Sequence, residues 1–378
     1  MSLASFARRA SGATLALVMV ATVGSTAIAG ETVPQPPSSS QTVKGVGGDF
    51  PAPLFNYWFG KYHAAFPSAH VTLTYTANGA GAGFKAMQAN PPTTDYAGTP
   101  APMTDADLAA VTNGRDILHI PGMLGADALA IHLNCTTAAI TLTGANVGDI
   151  YAGVITKWND SRLRSGGRNP DLKNCNVKVL PVRRSDSSGQ TYVFTMYLKQ
   201  ETTSYWANKA SLPTKQYSGW PVGVGAPGSS GVALKVKQTN GGIGYMEVAY
   251  ATQAKLKKAK VQNGDHTKFI APTSAAVTAA ANAALGDVPS DLRIQPVIGA
   301  AGSNSYPLTA YGFWLVFQQE PTSADHGKAE ISYIYWALTS GQTYAANLGF
   351  AKLPASVKTA AINQLKLITY NGTPIWTP

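Results

Sequence analysis

Residues 183–191 read RRSDSSGQT, and the apolar run YVFTMYL follows directly at residues 192–198. The β-type run NVKVLPV precedes them at residues 176–182. Apolar residues in the second run recur at helical spacing, which predicts that the polar residues stand where a strand passes into a helix. Either Ser187 or Ser188 can cap that helix.

This junction is suited to the binding of an oxyanion. The first N–H groups of a helix lack partners within the helix, and the helix dipole is positive at that end. Arg184 adds a planar set of donors, and Asp186 is placed to hold the guanidinium in one orientation. The alternative is an ordinary N-capped helix beside a surface ion pair, and the segment alone does not separate the two.

The chain begins with a predicted secretory signal peptide, residues 1–29. Arg8 and Arg9 precede a short apolar segment, and the small residues Ala27-Ile28-Ala29 form a cleavage site before Gly30. The apolar segment is too short to span a bilayer. Cleavage near Ala29 is therefore expected to give a periplasmic or secreted protein.

Length and composition indicate a globular protein of two or more domains. The chain has 378 residues, of which 45% are hydrophobic and only 13% charged. Loss of residues 1–29 would remove two Arg and no acid, so the formal charge falls from +10 to +8 and anions are attracted. The basic residues are dispersed, and the cluster at residues 255–260 is interpreted as a solvated face, so nucleic acid binding has no support.

Two cysteines, Cys135 and Cys175, are predicted to form a disulfide, because an exported protein folds in an oxidising compartment. The sequence has no CxxC or HExxH motif and no Cys/His cluster, and its six His are scattered. Neither a metal site nor a cofactor is expected.

The remaining pattern predicts an α/β fold. A Pro- and Ser-rich stretch, residues 30–42, is expected to be a flexible leader. Beyond it the order of strand, small-residue turn and helix recurs, and one such helix is expected to be capped by Thr104. This order predicts βα units on a parallel sheet, whose ligands lie beyond the carboxyl ends of the strands.

Six blocks then follow one another along the chain: GGDFPAPLFNYWFGKY from Gly47, APMTDADL from Ala101, GDIYAGVITKWND from Gly148, RRSDSSGQTYVFTMYL from Arg183, WPVGVGAPGSSGVALKVKQTNGGIGYMEVAYA from Trp220 and YPLTAYGFWLV from Tyr306. Together they resemble the periplasmic phosphate-binding proteins of ABC importers. The resemblance implies a two-lobed periplasmic binding protein of type II, the Venus-flytrap architecture, with parallel-type sheets flanked by helices and strand crossovers at the hinge. Lobe I would comprise residues 43–122 plus 305–378, and lobe II residues 123–304.

The resemblance also implies a function. The expected protein is a monomer without enzymatic activity that captures phosphate or a related oxyanion between its lobes. It would deliver the ligand to an ABC permease of the inner membrane. The implied ligand-binding positions are Asp49, Phe50, Gly79, Ala80, Thr99, Arg184, Ser188, Gly189 and Gln190, with Asp186 orienting Arg184.

The half of this site from lobe II matches the family closely, whereas the half from lobe I is altered. Asp49 stands where the family has a hydroxyl donor, and Ala80 where it has a serine. Pro100 replaces the aspartate that accepts the proton of hydrogen phosphate, and it also removes a backbone donor. A binding protein of the same fold with a different ligand is therefore the first alternative.

Asp49 is the most distinctive of these changes, and three interpretations remain open. It could replace the lost acceptor, since a carboxylate beside an anion is tolerated when a proton lies between them. It could instead point away from the ligand, or meet a donor group on a different one. It could also cap the helix predicted to start in PAPLF, residues 51–55.

Two further functions have weaker support. The first is an exported phosphatase on this scaffold. Against it, the sequence has no GxSxG motif, no metal-ligand cluster and no histidine spaced to serve Ser187 or Ser188. A protein used in adhesion is permitted by the basic composition, but no motif specifies it.

Overall fold

The computed structural model describes residues 32–112, 114–202, 205–207 and 217–376. The predicted signal peptide, residues 1–29, lies outside the described residues. Within the described ranges, no helix has the length and apolar character needed to cross a membrane.

Helices flank the sheet, and short 3₁₀ segments lie in the connections between elements. The α-helices are α1 Ala52–Ala65, α2 Ala80–Gln88, α3 Asp105–Ala109, α4 Gly144–Tyr151, α5 Gly189–Glu201, α6 Gly228–Lys237, α7 Val248–Gln253, α8 Ser274–Ala283, α9 Ala324–Leu338 and α10 Ala355–Leu365. The 3₁₀ segments are Ser161–Gly167, Pro170–Asn174, Leu285–Asp287 and Ser340–Leu348. Thr104 caps α3 as predicted: it accepts the N–H of Asp107, whose carboxylate in return accepts the N–H of Thr104.

The strands are β1 Gln41–Gly47, β2 Val71–Ala77, β3 Tyr96–Thr99, β4 Ile117–His132, β5 Thr141–Leu142, β6 Leu180–Arg184, β7 Val224–Ala226, β8 Gly242–Glu247, β9 Lys257–Lys258, β10 Lys260–Gln262, β11 Phe269–Ile270, β12 Val297–Ile298, β13 Leu308–Phe317, β14 Thr369–Tyr370 and β15 Thr373–Pro374. Because β1 already begins at Gln41, where it pairs with Val71 of β2, the predicted leader is wrong for its last two residues.

The main sheet has ten strands, eight of which follow the order β2-β1-β3-β13-β4-β8-β6-β7. The strands of the βα units are parallel, as predicted: β1 with β2 and β3, and β6 with β7 and β8. The two central strands differ from the prediction, because β13 and β4 run antiparallel to their neighbours. A strand buried on both faces is a continuous apolar run in either direction, so its sequence does not show its orientation.

Strand β4 connects the two halves of the molecule. Its residues 117–126 pair with β13, and residues 127–132 pair with β8. The first half of the sheet is thus β2, β1, β3, β13 and the start of β4, and the second half is the end of β4 with β8, β6 and β7. This mixed α/β sheet with flanking helices is the two-lobed periplasmic binding protein fold; the lobe boundaries given above stay a prediction.

Aromatic packing fixes the helices on each half. In the first half, Trp314 of β13 stacks on Phe55 and Trp58 of α1, with ring centroids 4.8 and 5.6 Å away. In the second half, Phe194 of α5 stacks on Tyr245 of β8 at 4.3 Å. Such aromatic pairs stabilise a fold by more than the burial of their surface area alone contributes. The second pair holds the start of α5 at the end of β6.

The predicted disulfide between Cys135 and Cys175 is confirmed. Cys135 lies shortly after β4, and Cys175 ends the 3₁₀ segment Pro170–Asn174. The bond closes a loop with a sequence separation of 40 residues and so ties the segment after β4 to the approach to β6.

Candidate functional site

The segment at residues 183–191 is the predicted strand-to-helix junction. Arg184 is the last residue of β6, and α5 begins at Gly189. Ser188 is the N-cap, and its hydroxyl accepts the N–H of Thr191 at 3.3 Å. The junction therefore aims the first turn of α5 and the Arg184 side chain at one place.

Arg184 is buried, with 1% of its side chain exposed, so the alternative of a surface ion pair does not hold. Its Nε donates to Asp186 Oδ1 at 2.7 Å, and its Nη2 donates to Asp186 Oδ2. The two bonds form a bidentate pair, which fixes the plane of the guanidinium. The structure therefore contains the contact between Asp186 and Arg184 that the sequence predicted, and the role of the two residues in ligand binding stays a prediction.

The ion pair shifts the pKa values of both Arg184 and Asp186. Burial alone would raise the pKa of Asp186, but the hydrogen bonds and the charge of Arg184 hold it below its ordinary value. Burial would lower the pKa of Arg184, but the carboxylates of Asp186 and Asp49 raise it above its ordinary value. Both groups are therefore charged throughout the physiological range.

The remaining donors of Arg184 are also engaged. Nη1 donates to Gln190 Oε1 at 2.7 Å and to Ser229 Oγ at 3.3 Å. The Ser229 hydroxyl in turn donates to Gln190 Oε1 at 3.0 Å. Asp49, Arg184, Asp186, Gln190 and Ser229 together are called the Arg184 cluster below.

Asp49 joins the cluster from the other half of the fold. Its Oδ2 accepts from Arg184 Nη2 at 2.7 Å, although the two residues lie 135 positions apart in sequence. Its Oδ1 accepts the N–H of Ser229 at 3.0 Å, in the first turn of α6. The hypothesis that Asp49 caps the helix after it is wrong, because α1 has Pro51 at its N-cap and no side-chain cap.

Two glycines allow this close approach of the halves. A β-carbon at Gly79, which precedes α2, would lie 2.5 Å from the backbone oxygen of Ser187. A β-carbon at Gly189 would lie 2.6 Å from Pro100 Cδ. Real β-carbons do not come this near to other heavy atoms, so the contacts require glycine at both positions.

Other residues that the sequence placed in the site have their side chains elsewhere. Phe50 is fully buried and packs edge-to-face on Phe350 at 5.8 Å. The Thr99 hydroxyl exchanges hydrogen bonds with the backbone of Ala101. Ala80 begins α2 and is fully buried. The N–H of Gly79 donates to the Gly47 oxygen at 2.9 Å, so it is already used within the first half.

Sequence reasoning missed Ser229 and Tyr245. Ser229 belongs to APGSSG, residues 226–231, a short Gly- and Ser-rich run before an apolar segment, and this pattern marks a second helix start. The Tyr245 hydroxyl accepts the N–H of Arg184 at 3.1 Å and lies 2.6 Å from Thr191 Oγ1. Burial raises the pKa of Tyr245 to about 12, so it stays a neutral hydrogen-bonding group.

Two buried acids lie on the neighbouring strands β4 and β8. Asp127 of β4 is directly opposite Glu247 of β8 in the antiparallel register, and both are fully buried. The carboxylate of Glu247 accepts the N–H of Ala249, whereas neither oxygen of Asp127 has a hydrogen-bond partner among the described residues. Burial raises both pKa values well above the ordinary range, against the opposing effect of Arg184 on Asp127.

Comparison with known proteins agrees with this architecture. Residues 32–338 match the family described as PBP superfamily domain. The phosphate-binding protein PstS of Xylella fastidiosa is 32% identical over 327 residues, which cover 85% of each chain. PstS of Pasteurella multocida is 29% identical and covers 90% of this chain and 94% of its own.

A solved structure shows the same fold. It is a high-affinity periplasmic phosphate-binding protein, PfluDING, bound with phosphate. It superposes with a TM-score of 0.68 at 20% identity and covers 84% of this chain and 92% of its own. At this level of identity the likeness concerns the architecture of the two lobes.

Proposed function

Because the chain belongs to the PBP superfamily and, within it, to the family of the phosphate-binding protein PstS, we propose that it is an exported substrate-binding protein. It captures phosphate or a phosphate-like oxyanion between its lobes, residues 43–122 with 305–378 and residues 123–304. It works in the periplasm as a monomer and delivers the ligand to an ABC permease of the inner membrane. As a member of a family of binding proteins it is not an enzyme.

One observation supports this proposal above the others: the buried Arg184 at the junction of β6 and α5. Asp186 holds its guanidinium in place by a bidentate pair. The capped start of α5 lies beside it and adds the positive end of a helix dipole. A buried, oriented guanidinium next to a helix N-terminus is the arrangement that binds tetrahedral oxyanions.

The alternative is a protein of the same fold with another ligand, and the Asp49–Arg184 pair favours it. The cluster contains one cation and two carboxylates. A ligand with its own donor group would suit Asp49, and Gln190 Nε2, which is buried without a hydrogen-bond partner among the described residues, adds a second donor.

Isothermal titration calorimetry on the mature, ligand-stripped protein tests the proposal against phosphate, sulfate, arsenate and small phosphate esters. We expect phosphate to bind to the parent protein. Arg184→Ala should abolish detectable binding, whereas Arg162→Ala, which removes a surface arginine paired with Asp160, should not. Far-UV circular dichroism confirms that each variant is folded. Equal binding by Arg184→Ala would refute the site, and a parent that binds none of the four anions would favour the alternative ligand.

A further inference from the structure

We propose that Asp49 is a built-in competitor of the anion: its carboxylate takes the place against Arg184 and α6 that an oxyanion would otherwise occupy, and so sets the affinity of the site. The inference rests on the proposed function. It assigns a role in setting oxyanion affinity to a residue of the first half of the fold, acting on an arginine of the second half.

The Asp49 carboxylate lies in a complete anion site. One oxygen accepts from a guanidinium nitrogen at 2.7 Å, and the other accepts the N–H of Ser229 at 3.0 Å. Ser229 is the second residue of α6, a helix of 10 residues. A guanidinium together with a helix N-terminus binds anions, and here the anion is a side chain of the same molecule. Only 7% of that side chain is exposed.

An incoming oxyanion must displace one of the existing partners of Arg184, because each of its nitrogens already donates to an acceptor. Asp186 is hard to displace, since it lies two residues away and also accepts the N–H of Gly228 at 3.2 Å. Asp49 comes from a distant segment of the chain, so movement of the halves can withdraw it. A tethered partner acts as a competitor at an effective concentration in the ~millimolar range.

The negative charge of Asp49 also opposes the binding of an oxyanion. With Asp49 in place, an oxyanion beside Arg184 would be a third negative charge facing one cation. Like charges at close range oppose binding, most strongly where water is excluded. Neutralising Asp49 should therefore tighten the binding of every small oxyanion, whether or not the oxyanion carries a proton.

This expectation differs in sign from the hypothesis of a relocated proton acceptor. If Asp49 accepts the proton of hydrogen phosphate, its neutralisation weakens phosphate and strengthens sulfate. If Asp49 is a competitor, both anions gain. Asp49→Asn keeps the size of the side chain and removes its charge, and Asp49→Ala also removes the contact.

The experiment measures phosphate and sulfate affinities by calorimetry in the parent, Asp49→Asn, Asp49→Ala and the control Asp160→Asn. The control removes a carboxylate from a surface Arg–Asp pair of the same chemistry. We expect both Asp49 variants to bind phosphate and sulfate about tenfold or more tightly than the parent, with the control unchanged. Small-angle scattering of the stripped proteins should show a larger radius of gyration for the two Asp49 variants, because an ion pair between the halves is lost.

The outcomes separate the inference from the function on which it rests. A parent that binds phosphate while both Asp49 variants bind it equally or less tightly overturns the inference and leaves the proposed function standing. A parent and variants that bind no oxyanion at all overturn both. Tighter binding of phosphate and sulfate by the variants, with an unchanged control, supports the role of Asp49.

Discussion

Gly189, the first residue of α5, touches Pro100, the residue that follows β3: a β-carbon on Gly189 would lie 2.6 Å from Pro100 Cδ and 2.7 Å from its Cγ. The contact joins the two halves of the fold beside the Arg184 cluster. Because a proline ring is stiff and its neighbour here is backbone, neither side can yield easily.

Gly189→Ala should therefore hold the halves apart. Overpacking of this kind costs about 1–3 kcal/mol, which corresponds to a loss of oxyanion affinity of about five- to 150-fold when closure is needed for binding. Pro100→Gly should restore binding in the double variant, since it removes the ring that is struck. Calorimetry on the parent, the two single variants and the double variant gives the coupling free energy between Gly189 and Pro100. Purely additive effects would contradict the contact.

Asp186→Asn should weaken oxyanion binding less than Arg184→Ala does. The amide retains one acceptor for the guanidinium but loses the bidentate, charge-assisted pair with Nε and Nη2. Arg184 then keeps its charge and loses its fixed orientation. Calorimetric affinities for phosphate in the two variants and the parent test the order, and a loss in Asp186→Asn as complete as in Arg184→Ala would show that Asp186 does more than orient.

Asp127→Asn should make stability less dependent on pH. The pKa of Asp127 is raised on folding, so the unfolded chain gives up this proton first, and stability is lost as the pH rises above about 4, the ordinary value for Asp. Asn removes this contribution, and it also removes the negative charge that helps to raise the pKa values of Glu247, Tyr245 and Tyr306. Arg184, which opposes the shift at Asp127, stays in place. Urea unfolding at pH 5 and pH 8 should show a smaller fall for the variant, and an equal fall would refute the assignment.

Replacing both Cys135 and Cys175 by Ser should lower stability without removing oxyanion binding. In the chain-entropy model, a crosslink across 40 residues contributes about 4 kcal/mol. Neither cysteine contacts the Arg184 cluster. Thermal unfolding with and without reductant gives the loss for the parent, and the double-Ser variant should match the reduced parent. A variant as stable as the oxidised parent would mean that the bond does not constrain the unfolded chain.

Features encoded within a few neighbouring residues were predicted well. The junction at residues 183–191 and the contact of Arg184 with Asp186 depend on neighbouring residues, as does the helix cap, for which the sequence left Ser187 and Ser188 open and the structure has Ser188. Thr104 is a similar case, because its capping box spans only four residues, Thr104 to Asp107. Such local hydrogen bonds leave a pattern in the sequence itself.

Features that depend on the path of the chain were not predicted. The contact of Asp49 with Arg184 needs the order of the strands in the sheet, and its second partner, Ser229, belongs to a third segment. Asp127 is a single acid inside the apolar run of β4, and nothing local indicates that it faces Glu247. The antiparallel direction of β13 was hidden because every residue of that strand is buried.

The position of β13 also decides the order in which the protein can fold. This strand, Leu308–Phe317, lies between β3 and β4, which are themselves separated by fewer than twenty residues in sequence. Neither β3 nor β4 has a partner on that side until residues 308–317 have joined the sheet. Pairing across such sequence separations is slow, because the entropy of loop closure is lost before the contacts form. Until β13 is in place, β3 and β4 therefore have two open strand edges, and the first half of the sheet is completed by a strand that follows the whole second half in sequence.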